Sequence, residues 1–409
     1  MAKESRIFAG LLLTIIILSC QSEKKYGKGN EFEQDIEFLR QYSDVFVLKE
    51  PESGSQVAVI PDMQARVMTS SIGATGRSFG WINRQKIASE ERQPHINVFG
   101  GEDRFWLGPE GGQFSIFFKQ GDNFDLENWQ TPEPIDWGAW ELVKKEMTQA
   151  HFRKTFSLVN YGNFQFDILA ERIIRVSGQE KAEKELGLKL DSDIQFVAYE
   201  SDNKITNSST HTWQKETGLL SIWILGMFKH SPSTTVVIPF NVGNEINLGP
   251  IVNDRYFGKV PEDRLKINQE KGVIFFKGDG QYRSKIGVSA KRAKNILGSY
   301  DGENKILTIV KFSITEDETD YVNSMWEIQQ DPYGGDVVNS YNDGTPEPGK
   351  KPLGPFYELE SSSRAADLAP REHLQHIHQT FHFVGPEHSI NQIVERLFSI
   401  SINEINSVF

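Results

Sequence analysis

From residue 45 onward, apolar residues come in short runs rich in Val, Ile, Phe and Tyr, separated by clusters of Gly, Asn, Asp and Pro. The runs lie at 57–60, 66–68, 114–118, 152–159, 164–170, 172–176, 193–199, 218–225, 234–240, 273–277, 306–312, 356–360 and 376–383. Alternate residues of a strand point to opposite faces, and many short strands between turn signals predict an all-β sandwich or barrel. Three stretches have a helical period instead. Phe32, Ile36 and Leu39 recur at helical spacing within 31–42, 178–187 carries Lys/Glu pairs four apart, and Ile390, Ile393, Val394 and Leu397 mark 388–398. No strand–helix alternation points to a parallel sheet, and no linker interrupts 45–385. The expectation is one domain over 45–409, too long for a simple sandwich and so built from two many-stranded sheets with a few short helices.

The first residues follow another rule. Lys3 and Arg6 precede an apolar run over 7–18, which ends in Ile17-Leu18-Ser19-Cys20. The run is too short to span a bilayer comfortably and has signal-peptide proportions. Its ending resembles a lipoprotein box, and Cys20 is the only cysteine of the 409 residues. A sole cysteine there suits lipid attachment and serves disulfide chemistry poorly. A lipoprotein signal peptide over 1–19 is therefore expected, then lipidated Cys20, tether and leading helix over 20–44. That places the protein at a bacterial cell envelope, on the periplasmic face or the cell surface, with the membrane as a partner through the anchor. The plainer alternative is a secretory peptide with an incidental cysteine. A net charge of −12 argues against nucleic acid, because affinity for a polyanion rests on Lys and Arg. The 27 Phe and 8 Trp supply a large core and leave aromatic surface suited to neutral sugars or cations.

Chemistry concentrates in a few stretches. On a strand over 356–360, Glu358 and Glu360 share a side with Phe356, opposite Tyr357 and Leu359, about 6.5–7 Å apart. If both face a cleft they repel, one holds its proton more tightly, and the pair can do acid/base work. If they face solvent they do nothing. The glycine-flanked stretch 100–112 holds Arg104, Trp106 and three carboxylates, Glu102, Asp103 and Glu110. A Trp face can receive a pyranose while Arg and carboxylates bond its hydroxyls; the same stretch also reads as a rigid loop with Trp106 in the core. Trp129, Trp137 and Trp140 lie in a Pro-interrupted segment, as stacking platforms or as local packing. Asn339 to Gly344, with Asp343, adds hydroxyl-bonding types or simply a turn. His376, His378 and His382 share one face of a strand, opposite Ile377, Phe381 and Phe383. A polar outer sheet face is the preferred reading of those histidines over a metal site. The phosphate-loop ending, the zinc-protease helix motif and cysteine clusters are absent from the sequence, so neither cofactor nor metal is expected.

Arg104-x-Trp106-x-Gly108-Pro109-Glu110, then Ile205-Thr206-Asn207, Glu358-x-Glu360 and Leu368-Ala369-Pro370-Arg371-Glu372 resemble, in order, the galactose-mutarotase-like superfamily. The resemblance covers roughly 50–385 and looks strongest to its bacterial lipoprotein members. It implies a large antiparallel β-supersandwich that binds a sugar in a cleft. It also implies a glutamate base at Glu360, with Glu358 as a possible partner. The family's two catalytic histidines fall here at Ser208 and near Phe99, so both positions depart from the pattern. His211 and His95 lie a few residues away and could substitute if a loop brings them in. Arg104, Trp106, Glu110, Asn207 and Asp343 become the expected substrate contacts. Two functions follow: a carbohydrate-active protein of aldose 1-epimerase type, or a glycan-binding lipoprotein without turnover. A purely structural envelope protein is the third possibility.

Overall fold

The computed structural model describes residues 29–409 except 74, 316, 317, 346–348 and 350. The expected signal peptide and Cys20 lie outside the described residues. The runs of alternating residues form three antiparallel sheets. The largest has ten strands, in the spatial order Leu265–Asn268, Val273–Lys277, Thr234–Pro239, Ile296–Asp301, Ile306–Phe312, His373–Val384, Gln195–Asn207, Gln165–Ser177, Gln149–Val159, Glu141–Lys145. A five-stranded sheet runs Ser284–Ser289, Asp336–Asn342, Phe356–Ser362, Ser221–Lys229, Arg104–Gly108. Phe46–Lys49, Gln56–Ile60 and Arg66–Ser71 make a small third sheet. This is the large antiparallel sandwich with few short helices that the periodicity predicts.

The two larger sheets face each other. Leu359 and Tyr357 of the smaller sheet pack with Val236, Ile238, Phe276 and Val310 of the larger one, and the Tyr357 hydroxyl meets Ser299 Oγ at 2.7 Å. Helices cover the far face of the larger sheet. Glu387–Phe398 lays Ile390, Ile393, Val394 and Phe398 against Phe381, Phe383, Leu307 and Ile309. Gln179–Leu186 joins them and stops at Gly187, whose φ of 67° is the left-handed cap that glycine adopts without strain. Glu31–Leu39 begins with a reciprocal capping box between Asn30 and Glu33.

Several local expectations change. Residues 114–118 form no strand; they run as turns, with Ile116 N–H bonded to Pro109 O and Phe117 and Phe118 buried. The runs 164–170 and 172–176 are one continuous strand. Stretch 100–112 is not all loop, because Arg104–Gly108 is an edge strand. The histidine face of His373–Val384 is not a polar outer face. Its period of two is right, but the helices cover the Phe side, so the histidines turn into the sandwich interior and are fully buried. There Ser361 Oγ bonds both His376 Nε2 and His378 Nδ1 at 2.8 Å, and His382 bonds Glu102 and Thr308.

This interior placement predicts acid sensitivity. Burial pulls the His376 and His378 imidazoles down to about 3, with the neighbouring His378 adding to the effect on His376 and Arg172 adding to that on His378. Their folded values lie below the unfolded value of about 6.5, so between pH 6.5 and 3 the unfolded chain binds more protons. Their contribution is therefore fully present above pH 6.5 and is lost as pH falls. From pH 7 to pH 5 each should remove about 2 kcal/mol of unfolding free energy. Urea titrations at the two pH values would measure this. Replacing one histidine by Asn should remove about half of the paired contribution, and an unchanged pH slope would disprove the assignment.

Candidate functional site

The outward face of the five-stranded sheet is the floor of a cleft of about 380 Å³, a size typical of small-ligand sites. Strand alternation and register build it. On Phe356–Ser362 the inward residues Tyr357, Leu359 and Ser361 hold the larger sheet, which leaves Phe356, Glu358 and Glu360 on the other side. Glu358 stands opposite Tyr341 on one neighbouring strand and Met227 on the other, and Tyr341 stands opposite Lys285. Glu360 stands opposite Leu225, which is opposite Arg104. On Arg104–Gly108, Arg104 and Trp106 face the cleft while Phe105 and Leu107 face the core. Acids and cations from three of the five strands are thereby brought to one surface.

Arg104 Nη2 donates to Glu358 Oε1 at 2.5 Å, with both side chains almost wholly buried. Lys285 Nζ and Trp223 Nε1 both donate to Glu360 Oε2, at 3.0 and 2.9 Å. Glu360 is 0% exposed and does not line the cleft; it lies behind Lys285 and Trp223. Of the two glutamates, Glu358 is the one that reaches the cleft. Burial raises its pKa to about 8, the neighbouring Glu360 charge pushes the same way, and Arg104 opposes without cancelling. Glu358 therefore holds its proton at neutral pH, with its Oε1 still accepting from Arg104. Glu360 Oε1 is buried with no hydrogen-bond partner among the described residues. For Lys285, burial acts to lower the pKa, but Glu360, Glu110 and Glu358 outweigh it, so the ammonium stays charged.

Aromatic rings form the walls. Trp106 meets Trp223 edge-on with centroids 5.6 Å apart, and Trp129 stacks on Trp326 at 6.0 Å. The indole Nε1 atoms of Trp106 and Trp129 and Nε of Arg104 are buried without a protein partner among the described residues. Such orphan donors in a cleft wall are suited to a polar ligand or water. Glu110, raised by burial, hydrogen-bonds Trp326. Gly111 makes that approach possible: a Cβ there would sit 2.2 Å from Met325 O. Asp343 accepts from the Tyr341 hydroxyl at 2.6 Å and from Gly354 N–H at 2.8 Å. His95 comes in on a loop at the mouth, and its Nδ1 lies 2.6 Å from Trp129 O. A carbonyl can only accept, so Nδ1 carries the proton and the Nε2 of neutral His95 has a free lone pair.

Of the residues expected from sequence, Glu358, Arg104, Trp106, Glu110 and Asp343 line the cleft, with Glu360 just behind. Asn207 does not: it ends a strand of the larger sheet, where its side chain bonds the carbonyls of His211 and Leu368 and caps a turn through Ser209. His211 does not either; its Nε2 bonds Gln165 O and its ring packs edge-on against Phe164. Glu102 and Asp103 point into the sandwich, tied to Ser70, Tyr199, His382, Arg172 and Ser201. Trp140 is core against Phe105, and Trp137 stacks under Arg92. Sequence reasoning missed Lys285, Arg283, Trp223 and Trp326. The alternation of Arg283 and Lys285 with Ser284, Ile286 and Val288 was a readable strand signal; Trp223, inside an apolar run, looked like core. Among the described residues no cluster of three metal-ligating side chains occurs.

A model for DUF6786, a family of unknown function, matches residues 30–409. No curated protein matches the chain. Among solved structures, the Slr1438 protein from Synechocystis sp. PCC 6803 is similar with a TM-score of 0.48 and 12% identity, over 83% of this chain and 97% of its own. A galactose mutarotase-like protein from Lactobacillus casei has a TM-score of 0.47 and 9% identity, over 83% and 100%. A putative aldose 1-epimerase from Escherichia coli K12 has a TM-score of 0.46 and 12% identity, over 84% and 99%. These are likenesses of overall build.

Proposed function

The chain belongs to the DUF6786 family, and we propose that it binds a sugar in this cleft and moves protons at the sugar's anomeric centre. The observation that carries the reading is buried Glu358, its pKa raised to about 8, on a sheet face walled by Trp106, Trp129, Trp223 and Trp326. Indole faces take the C–H side of a pyranose, and the buried Arg and Trp N–H groups take its oxygens. Mutarotation needs one group to remove the anomeric proton and another to protonate the ring oxygen. Glu358 supplies the acid. Its proton goes to the ring oxygen while His95 Nε2 takes the proton of the anomeric hydroxyl. The bond from the anomeric carbon to the ring oxygen breaks, leaving an open-chain aldehyde that can close from either face with the protons returned. Glu360 holds Lys285 and the Trp223 indole in place. Attachment to a bacterial envelope through Cys20 belongs to the same proposal, supported by the order of basic residues, apolar run, Ser19 and Cys20.

The test is exchange NMR between α and β anomers on a panel of aldoses, with tryptophan emission followed in parallel. Catalysed exchange for at least one sugar, with a change in emission on binding, is expected. Binding with exchange no faster than in buffer would leave a glycan-binding protein without turnover. Absence of both would remove the reading.

A further inference from the structure

Arg283 lines the cleft, yet it makes no hydrogen bond or ion pair among the described residues. Its guanidinium carbon lies over Phe257, 3.9 Å from the ring centroid. The acids around it are committed elsewhere: Asp343 to the Tyr341 hydroxyl and Gly354 N–H, Glu110 to Trp326. Arg104 and Lys285, by contrast, each have a glutamate. Among the described residues Arg283 thus has no hydrogen-bonded counter-ion, although Glu110 and Asp343 feel its charge, and the exposed Lys351 is another cleft-lining cation without an ion pair.

We propose that the ligand is an acidic sugar, whose single negative charge, a carboxylate or a sulfate ester, is received by the edge of the Arg283 guanidinium. This rests on the sugar-binding reading above and specifies its ligand class. A planar guanidinium fork matches two oxygens of either group. Neutral sugars leave that fork unused and half-buried. A phosphate ester fits worse, because its second charge would face Asp343, Glu110, Glu358 and Glu360, while the remaining unpaired cation, Lys351, stands exposed at the edge of the cleft.

Titration calorimetry on matched pairs tests this: glucose with glucuronate, galactose with galacturonate, each also with its 6-sulfate and 6-phosphate. In at least one series the carboxylate or sulfate form is expected to bind about 10-fold or more tighter than the neutral sugar, the difference between them naming the group. In Arg283→Gln the ratio of acidic to neutral affinity should fall to about one. Circular dichroism of the variant checks that it is folded. Equal binding of neutral and acidic forms, a preference for the phosphate, or a ratio unchanged in Arg283→Gln would each overturn the inference while leaving a sugar cleft in place. Binding of no sugar in any series would overturn the inference together with the reading beneath it.

Discussion

Glu358→Gln is expected to slow anomer exchange by about 10²–10⁴-fold, the contribution usual for a positioned acid or base, while ligand affinity stays within a few-fold. The amide keeps the shape of the side chain, and its oxygen still accepts from Arg104, whose guanidinium meets Glu358 Oε1 in the parent. Its NH₂ can still donate toward Glu360. What it lacks is a transferable proton. The parent should also show a rate that is sustained below pH about 8 and falls above it, because the acid form is the active one and burial sets its pKa there. That limb should vanish in the variant. A variant as fast as the parent would sink the assignment of Glu358 as the acid.

Asp103→Leu should be the most costly single change in the sandwich interior. Asp103 and Arg172 are paired with both side chains 0% exposed, and Ser201 Oγ adds a second bond to the carboxylate at 2.6 Å. Burial raises the Asp103 pKa despite Arg172, so the pair is held at a desolvation cost. Removing only the acid leaves a buried guanidinium without its counter-ion, with Gln64 O still accepting from Nη1, an outcome that typically costs about 3–5 kcal/mol. Replacing both partners, Asp103→Leu with Arg172→Met, removes the stranded charge and should recover most of that loss. Urea unfolding of the two variants would report it. A single variant that loses less than the double variant would show that the charge pairing is not what matters.

Period two in the sequence was enough to place Glu358 and Glu360 on one side of a strand and Tyr357 and Leu359 on the other. It could not say which side met solvent. In His373–Val384 the same rule was read with the wrong face outward, because cover by Glu387–Phe398 is a long-range fact that no local pattern encodes. The partners of the glutamates were hidden for a similar reason. Lys285 reaches Glu360 only through two steps of cross-strand register, and a register shift of one residue would turn every one of these side chains to the other face. Asn207 and His211 were carried by resemblance of short motifs alone, and their side chains serve the end of a strand. Stretch 100–112 was half legible: Arg104, Trp106 and Glu110 reach the cleft, while Glu102, at a bend before the strand, and Asp103 both go inward, which alternation alone does not give.

The smaller sheet is fastened on one side only. Tyr357 and Ser361 bolt it to its larger neighbour, whereas His95, Trp129, Phe257 and Trp326 arrive on connecting segments. Floor and rim are therefore separable inheritances. Exchanging a rim segment can retune which molecule is admitted and leave Glu358 and Glu360 where they are, so chains with this architecture are free to diverge in diet faster than in chemistry.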